Sequence, residues 1–246
     1  MEWRKAGGVR WLSCELPGAR VAFSTRVGGV SGGTYAGLNL GLLSGDEPER
    51  VAENRRRLTA GIGLDPEATV IGHQVHGAEL ARHSSPQRPA PWTTPEVEPP
   101  DVDGHVLAAP GLAGLVFVAD CLPIALAGPG GVAIVHGGWR GLAAGIVGRA
   151  AAAVEARAAA IGPGIGPCCY EVGDEVLGAF APLGRGLASG RMLDLVAVVR
   201  RLLERAGVDE VTAAGLCTSC NPELLFSHRR DGPGTGRQAG LAWKAH

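Results

Sequence analysis

The sequence is poor in aromatic residues and in lysine, and it has no long hydrophobic run. Aromatic side chains make up 4% of its 246 residues, so aliphatic and small side chains must fill the core. No stretch of about 18 apolar residues occurs, which excludes a membrane-spanning helix and predicts no membrane partner. The chain has 23 Lys and Arg against 24 Asp and Glu, a formal net charge of −1. Because a general nucleic-acid binder should be basic, we expect no nucleic-acid partner.

The cysteine content is too low for a disulfide framework, with six cysteines in the chain. The first residues also lack the apolar core of a signal peptide, so we expect a cytoplasmic protein whose cysteines are buried, catalytic or metal-bound. Cys168 and Cys169 are expected to be buried and structural. Cys217 and Cys220 form a CxxC pair that resembles half of a zinc or redox site, but no second CxxC occurs.

Strand patterns that partly alternate with helices and partly follow one another predict a single α+β domain over 1–246. Strands are predicted at 20–25, 68–76, 78–82, 104–108, 114–119, 123–127, 131–135, 158–161, 208–215 and 238–243. Helices are predicted at 48–62, 139–157, 173–180 and 194–206. The proline-rich segment 84–100 is expected to be a flexible surface excursion, and Arg55–Arg57 are expected on the solvent side of the first helix.

Three short motifs each place a potential metal ligand at a turn beside a strand. They are QVHG (74–77), DCLP (120–123) and HGGWRG (136–141). Cys121 and His136 bracket a predicted hairpin whose turn contains Gly-Pro-Gly-Gly. The two strands of that hairpin should bring both side chains to the same end, where the motif glycines allow close backbone approach.

This constellation fits more than one chemistry. His76, Cys121 and His136 would bind zinc with a fourth position open, which is the arrangement of catalytic zinc sites. Alternatively, Cys121 is a nucleophile and His136 its base, or a buried cysteine lies near unrelated histidines. Spacing alone does not separate a ligand from a nucleophile, because both require a thiolate.

The same motifs resemble the bacterial YfiH family, also called the laccase-domain or peptidoglycan-editing-factor family, which has the mammalian purine nucleoside enzyme FAMIN as a relative. The resemblance runs through nearly the whole chain, from FSTRVGGVSGGTYAGLNLG (23–41) to CTSCNPELLFSHRRDGPGTGR (217–237). It implies a layered α/β/β/α sandwich with mixed sheets. It also implies that zinc is bound by His76, Cys121 and His136.

The activity implied by this resemblance is that of a zinc-dependent purine nucleoside enzyme. Such an enzyme would phosphorolyse adenosine, inosine and methylthioadenosine and would deaminate adenosine, with a purine nucleoside and phosphate as its small-molecule partners. Two alternatives stay open: a Cys–His amidase or hydrolase that edits peptidoglycan precursors, and a non-enzymatic binding module with a structural zinc. A multicopper oxidase is disfavoured because the chain lacks paired H-x-H motifs, although a His2Cys set could take up copper in vitro.

Polar residues in glycine-rich and loop segments are candidates for substrate contact. Guanidinium groups match phosphate bidentately, so arginines that converge on the zinc would hold phosphate or ribose. A carboxylate beside a ligand would orient that ligand or a substrate amine. The candidates are Arg26, Asn39, Gln74, Asp120, Arg140, Arg229 and Arg230, with His228 and Arg237 in the same segments. Structural anchoring is the alternative role for each of them.

Overall fold

Two six-stranded sheets dominate the computed structural model, which describes residues 1–245. The final residue of the predicted domain, His246, lies outside the described residues. The strands are β1 (Glu2–Ala6), β2 (Val9–Leu16), β3 (Ala19–Ser24), β4 (Thr69–Val70), β5 (Leu80–His83), β6 (Gly104–Leu107), β7 (Ala113–Val118), β8 (Leu122–Gly128), β9 (Gly131–Gly137), β10 (Ala158–Ile161), β11 (Ala188–Ser189), β12 (Met192–Leu193), β13 (Glu210–Ala213) and β14 (Gln238–Lys244). The helices are α1 (Pro48–Ile62), α2 (Trp139–Ala143), α3 (Ile146–Val154), α4 (Asp174–Phe180), α5 (Leu195–Arg205) and α6 (His228–Asp231).

Both large sheets are mixed. The first has the strand order β1-β2-β3-β14-β7-β4, and the second has the order β13-β10-β8-β9-β6-β5. Most neighbouring strands are antiparallel, but β4 runs parallel to β7, β5 to β6, and β10 to β13. The parallel pair β10 and β13 carries its two following loops to the same edge of the second sheet.

The sheets stack with helices on their outer faces. Phe23, Val116 and Ile134 belong to the apolar layer between the two sheets. Helices α3 and α5 cover the second sheet, and Leu58 of α1 packs with Leu115 on the first. This layering confirms the predicted α+β sandwich with mixed sheets. Within residues 1–245, no helix combines the length and apolar character that crossing a bilayer requires.

Most predicted elements are present, but several segments differ from prediction, among them the unpredicted β11, β12 and α6. The segment 68–76 contributes only β4. After β4 the chain forms a single isolated bridge at His73, and the backbone N–H groups of Ile71 and His76 donate to side chains instead of to a neighbouring strand. The helix predicted over 139–157 is two helices, separated at Gly145, whose φ of 89° lies in the left-handed region. The N-terminal strands β1 and β2 were not predicted, and every residue of β1 is exposed, so β1 lacks an alternating apolar pattern.

Arg55 does not lie on the solvent side of α1 as predicted. It is 6% exposed and donates hydrogen bonds to the carbonyl oxygens of Leu40 at 3.1 Å and Trp92 at 3.0 Å. Its guanidinium carbon lies 4.7 Å from the centroid of the Trp92 ring, and burial lowers the pKa of Arg55 to about 10. The proline-rich segment 84–100 therefore contributes Trp92, 2% exposed, to the core that covers this face of the helix.

Candidate metal centre and its cavity

The three predicted metal ligands meet at one end of the β8–β9 hairpin. The potential ligand atoms of His76, Cys121 and His136 all lie within 4.8 Å of one another. Cys121 directly precedes β8, and the strand register pairs Pro123 with His136 on β9. Because this pairing fixes both ends of the hairpin, Cys121 and His136 converge as the spacing predicts, and the loop before β5 brings in His76.

The backbone around these ligands adopts conformations that side chains usually avoid. His76 has a φ of 60° and Asp120 a φ of 92°, both in the left-handed region. Such conformations carry strain and are common at functional sites. A Cβ atom at Gly138 would lie 3.0 Å from Cδ2 of His76 and 3.2 Å from Sγ of Cys121, so a larger residue there would crowd both ligands.

Asp103, which no sequence motif indicates, organises the cluster. One carboxylate oxygen lies 2.7 Å from Nδ1 of His136, which leaves Nε2 as the ring atom available to a metal. The same carboxylate accepts backbone N–H bonds from Val75, His76 and Gly77 at 2.7–3.1 Å. Its role becomes visible only when strand pairing is known, because β6 pairs with β9 and so places Asp103 opposite His136.

The electrostatics of the cluster favour a thiolate at Cys121. Burial opposes ionisation of this thiol, but the charge and hydrogen bonds of His136 and His76 outweigh it and lower its pKa. Burial likewise opposes protonation of His136, yet Cys121 and Asp103 raise its pKa. The thiolate is the form that binds a metal or attacks as a nucleophile, so these shifts are compatible with both chemistries.

A cavity of about 760 Å³ opens over the three ligands, all of which line it. Aromatic rings of Phe117 and Tyr170 and the side chains of Arg229 and Arg237 line other parts of its wall. Burial is the main reason that the pKa of Tyr170 is raised to about 12, so its hydroxyl stays neutral. This combination of aromatic faces and a few cations suits a planar ligand with an anionic group. The sequence motifs indicate both arginines but neither aromatic residue.

Three of the predicted substrate residues, Gln74, Asp120 and Arg229, line this cavity. The amide of Gln74 is already bonded to the backbone N–H and carbonyl of Phe117 at 2.7 and 2.8 Å. Asp120 accepts hydrogen bonds from Thr218 Oγ1 at 2.5 Å and from the backbone N–H of Arg229 at 2.6 Å. Gln74 and Asp120 therefore hold the cavity wall together, whereas the guanidinium of Arg229 retains donors.

The other four predicted substrate residues do not line the cavity. Arg26 donates three hydrogen bonds to loop carbonyls at 2.9–3.0 Å, and Asn39 is fully buried among loop hydrogen bonds. Arg230 donates to carbonyls of the loop that precedes it at 2.8–3.2 Å. Arg140 is exposed and stacks on Trp139, with 4.4 Å between its guanidinium carbon and the ring centroid. Arg26, Asn39 and Arg230 therefore anchor loops, which is the alternative role expected for them.

Comparison with known proteins places the chain in a family. A family model described as multi-copper polyphenol oxidoreductase laccase matches residues 20–245. "Purine nucleoside phosphorylase YlmD" of Geobacillus stearothermophilus is 37% identical over 251 residues, covering 92% of each chain. "Purine nucleoside phosphorylase YfiH" of Escherichia coli is 35% identical, covering 92% of this chain and 94% of its own length.

Solved structures show the same fold. The crystal structure of YlmD from Geobacillus stearothermophilus superposes with a TM-score of 0.89 at 35% identity, covering 99% of this chain and 98% of that one. That of the Bacillus licheniformis hypothetical protein YfiH gives a TM-score of 0.89 at 29% identity, covering 99% of both chains. The chain therefore belongs to the laccase-domain family of YfiH and YlmD, the family described as multi-copper polyphenol oxidoreductase laccase.

Proposed function

We propose that the chain is a zinc-dependent purine nucleoside phosphorylase, with zinc bound by His76, Cys121 and His136. The observation that carries this proposal is the convergence of these three donors within 4.8 Å on the wall of a large cavity. The names of the curated relatives, which describe purine nucleoside phosphorylases, support the choice of substrate.

The donor set fits zinc. Two imidazole nitrogens and one thiolate are ligands that zinc prefers, and three protein ligands leave a fourth position for water or substrate. When bound, zinc would act as a Lewis acid towards a substrate oxygen or water. Among the described residues, the cluster contains no fourth His, Cys, Asp or Glu. This count weighs against a binding module with a closed structural zinc.

The cavity wall supplies contacts for both substrates of a phosphorolysis. The purine packs against the rings of Phe117 and Tyr170, and phosphate binds to Arg229 and Arg237. A guanidinium has five N–H donors; Arg229 uses Nη1 on a carbonyl at 3.0 Å, and Arg237 uses Nη1 on carbonyls at 2.7 and 3.0 Å. Both retain donors with which to hold and orient the anion as it attacks C1′ of the ribose. The bond from C1′ to the purine nitrogen breaks, and its electron pair leaves with the purine.

The proposal extends to adenosine, inosine and methylthioadenosine as phosphorolysis substrates, and to hydrolytic deamination of adenosine. Zinc-loaded protein should therefore convert adenosine and phosphate into adenine and ribose 1-phosphate, and adenosine in phosphate-free buffer into inosine and ammonia. Chromatography of the products with and without phosphate measures both reactions. Failure to release adenine in the presence of phosphate, with zinc bound, would refute the phosphorylase.

A Cys–His hydrolase is the second candidate, because Asp103 is hydrogen-bonded to His136, whose ligand atom lies within 4.8 Å of the Cys121 sulfur. The two candidates differ in the state of the thiolate. A zinc-bound Cys121 should react slowly with iodoacetamide until a chelator removes the metal, whereas a nucleophile should react rapidly in the active protein and keep its activity after chelation. Mass-spectrometric mapping of the labelled peptide, with and without chelator, separates them.

A further inference from the structure

Four cysteines outside the cavity site come together at one edge of the second sheet. Cys168 and Cys169 lie in the loop after β10, and Cys217 and Cys220 lie in the loop after β13. Their sulfur atoms are all within 4.8 Å of one another. Sγ of Cys220 is 3.5 Å from Sγ of Cys168 and 3.4 Å from Sγ of Cys169. The CxxC pair Cys217 and Cys220 therefore lies beside two further cysteines, Cys168 and Cys169, from a distant segment of the sequence.

The pairing of strands brings the two cysteine-containing loops together. Strands β10 and β13 are parallel neighbours, so their following loops leave the sheet side by side. The two loops stay paired beyond the strands, where N–H of Thr218 donates to the carbonyl of Gly164 at 3.0 Å and N–H of Gly164 to that of Leu216 at 3.3 Å. The expectation that Cys168 and Cys169 are buried is wrong, because Cys168 is exposed and Cys169 is half-buried. For the two exposed cysteines, Cys168 and Cys220, a sulfur-specific role is therefore a better explanation than core packing.

The spacing of the sulfurs suits a single metal ion. Zinc binds thiolates at about 2.3 Å in a tetrahedron, which requires sulfur–sulfur separations of about 3.8 Å. The separations of 3.4 and 3.5 Å around Cys220 lie close to that value. They are far longer than the roughly 2.05 Å of a disulfide.

Hydrogen bonds from the backbone and from Arg230 hold the two loops of the cluster in place. N–H of Gly166 donates to Sγ of Cys217 at 3.3 Å. The guanidinium of Arg230 donates to the carbonyls of Thr218 and Ser219 at 2.8 and 3.2 Å, on the turn inside the CxxC pair.

We propose that Cys168, Cys169, Cys217 and Cys220 bind one zinc ion in a closed four-thiolate site, separate from the cavity site. Zinc displaces one proton from each thiol that is protonated beforehand. Because protein sulfurs fill all four positions, the site is structural and leaves no position for a substrate. This inference goes beyond the proposed function and does not depend on it.

The position of this second site relates it to the cavity. Tyr170 follows Cys169 and lines the cavity, and Thr218 follows Cys217 and donates to Asp120 beside the ligand Cys121. A metal that joins the two loops therefore fixes two parts of the cavity wall relative to each other. It takes the place of a covalent crosslink between segments about fifty residues apart.

The test uses metal content and spectroscopy, which do not depend on catalysis. Native mass spectrometry of the protein purified with zinc and reductant should show two zinc ions per chain. Cys121→Ser should keep one zinc ion, that of the four-cysteine site. Cys220→Ser and Cys168→Ser, both at exposed positions, should each keep one zinc ion, that of the cavity site. Cys14→Ala, which removes a buried cysteine outside both clusters, should keep two.

Cobalt substitution tests the intact cluster without altering it. In the Cys121→Ser protein, Co²⁺ should give the intense thiolate-to-cobalt charge-transfer and tetrahedral ligand-field bands of a four-sulfur site. Those bands should disappear when Cys220→Ser is added. A Cys121→Ser protein that binds neither zinc nor cobalt would overturn the proposal, as would a disulfide among the four cysteines in reductant-treated protein. Loss of zinc from the cavity site alone would instead count against the proposed function.

Discussion

The two cysteine-containing clusters differ in what holds them in place. Cys121 and His136 lie at the ends of two paired central strands, and the buried carboxylate of Asp103 fixes one histidine and the loop of the other. In the four-cysteine cluster, every sulfur comes from a loop, and Cys168 and Cys220 are exposed. Strand pairing thus pre-forms the site that faces the cavity, whereas the proposed loop site would depend more on its own metal. The difference agrees with the two proposals, an open metal site for catalysis and a closed metal site that crosslinks two loops.

The largest effect should come from removing the thiolate of the cavity site. Cys121→Ser replaces a soft sulfur with a poorly ligating hydroxyl, so zinc at that site should be lost and phosphorolysis should fall by more than about 100-fold. Zinc analysis and adenine release measure this, with Cys14→Ala as the matched cysteine control. Full zinc retention in Cys121→Ser would contradict the ligand assignment.

Asp103→Asn should show how much the zinc affinity of the cavity site depends on the hydrogen bonds of Asp103 to His136 and to the loop of His76. The variant keeps the shape of the side chain but weakens its hold on His136 and on the loop of His76, so zinc affinity should fall about 10- to 100-fold. Competition with a chromogenic chelator measures this affinity. Asp174→Asn, at an exposed aspartate, is the control. Equal affinities in the two variants would mean that Asp103 does not orient the ligand.

The cavity arginines should affect the two reactions unequally. Arg229→Gln and Arg237→Gln each remove charged donors to phosphate, so phosphorolysis should fall about 10- to 100-fold. Deamination needs no anion and should change much less. The measured quantity is the ratio of adenine to inosine formed from adenosine in phosphate buffer, with the exposed Arg185→Gln as control. An unchanged ratio in both variants would remove these arginines from phosphate binding.

The smallest effect on activity should come from the loop cluster. Cys220→Ser should change phosphorolysis only a few-fold, because no sulfur of that cluster lines the cavity. Its melting temperature should nevertheless fall by about 5–10 °C through loss of a bound ion, as measured by calorimetry against Ser219→Ala on the same turn. A melting temperature equal to that of Ser219→Ala would contradict a stabilising metal.

Features that depend on local patterning were predictable from the sequence. The turn at 128–131 closes the β8–β9 hairpin, so the convergence of Cys121 and His136 follows from spacing alone. Features that depend on contacts between distant segments were not predictable. The four-cysteine cluster requires β10 to pair with β13, and the burial of Arg55 requires the 84–100 segment to fold over α1. The role of Asp103 depends in the same way on the pairing of β6 with β9.

The contrast between an open and a closed metal site can be measured directly by X-ray absorption at the zinc edge. The Cys168→Ser/Cys220→Ser double variant should hold zinc only at the cavity site. Its spectrum should show one sulfur at about 2.3 Å and nitrogen or oxygen neighbours at about 2.0–2.1 Å. A shell without sulfur, a shell of several sulfurs or the absence of zinc would contradict a metal centre formed by His76, Cys121 and His136.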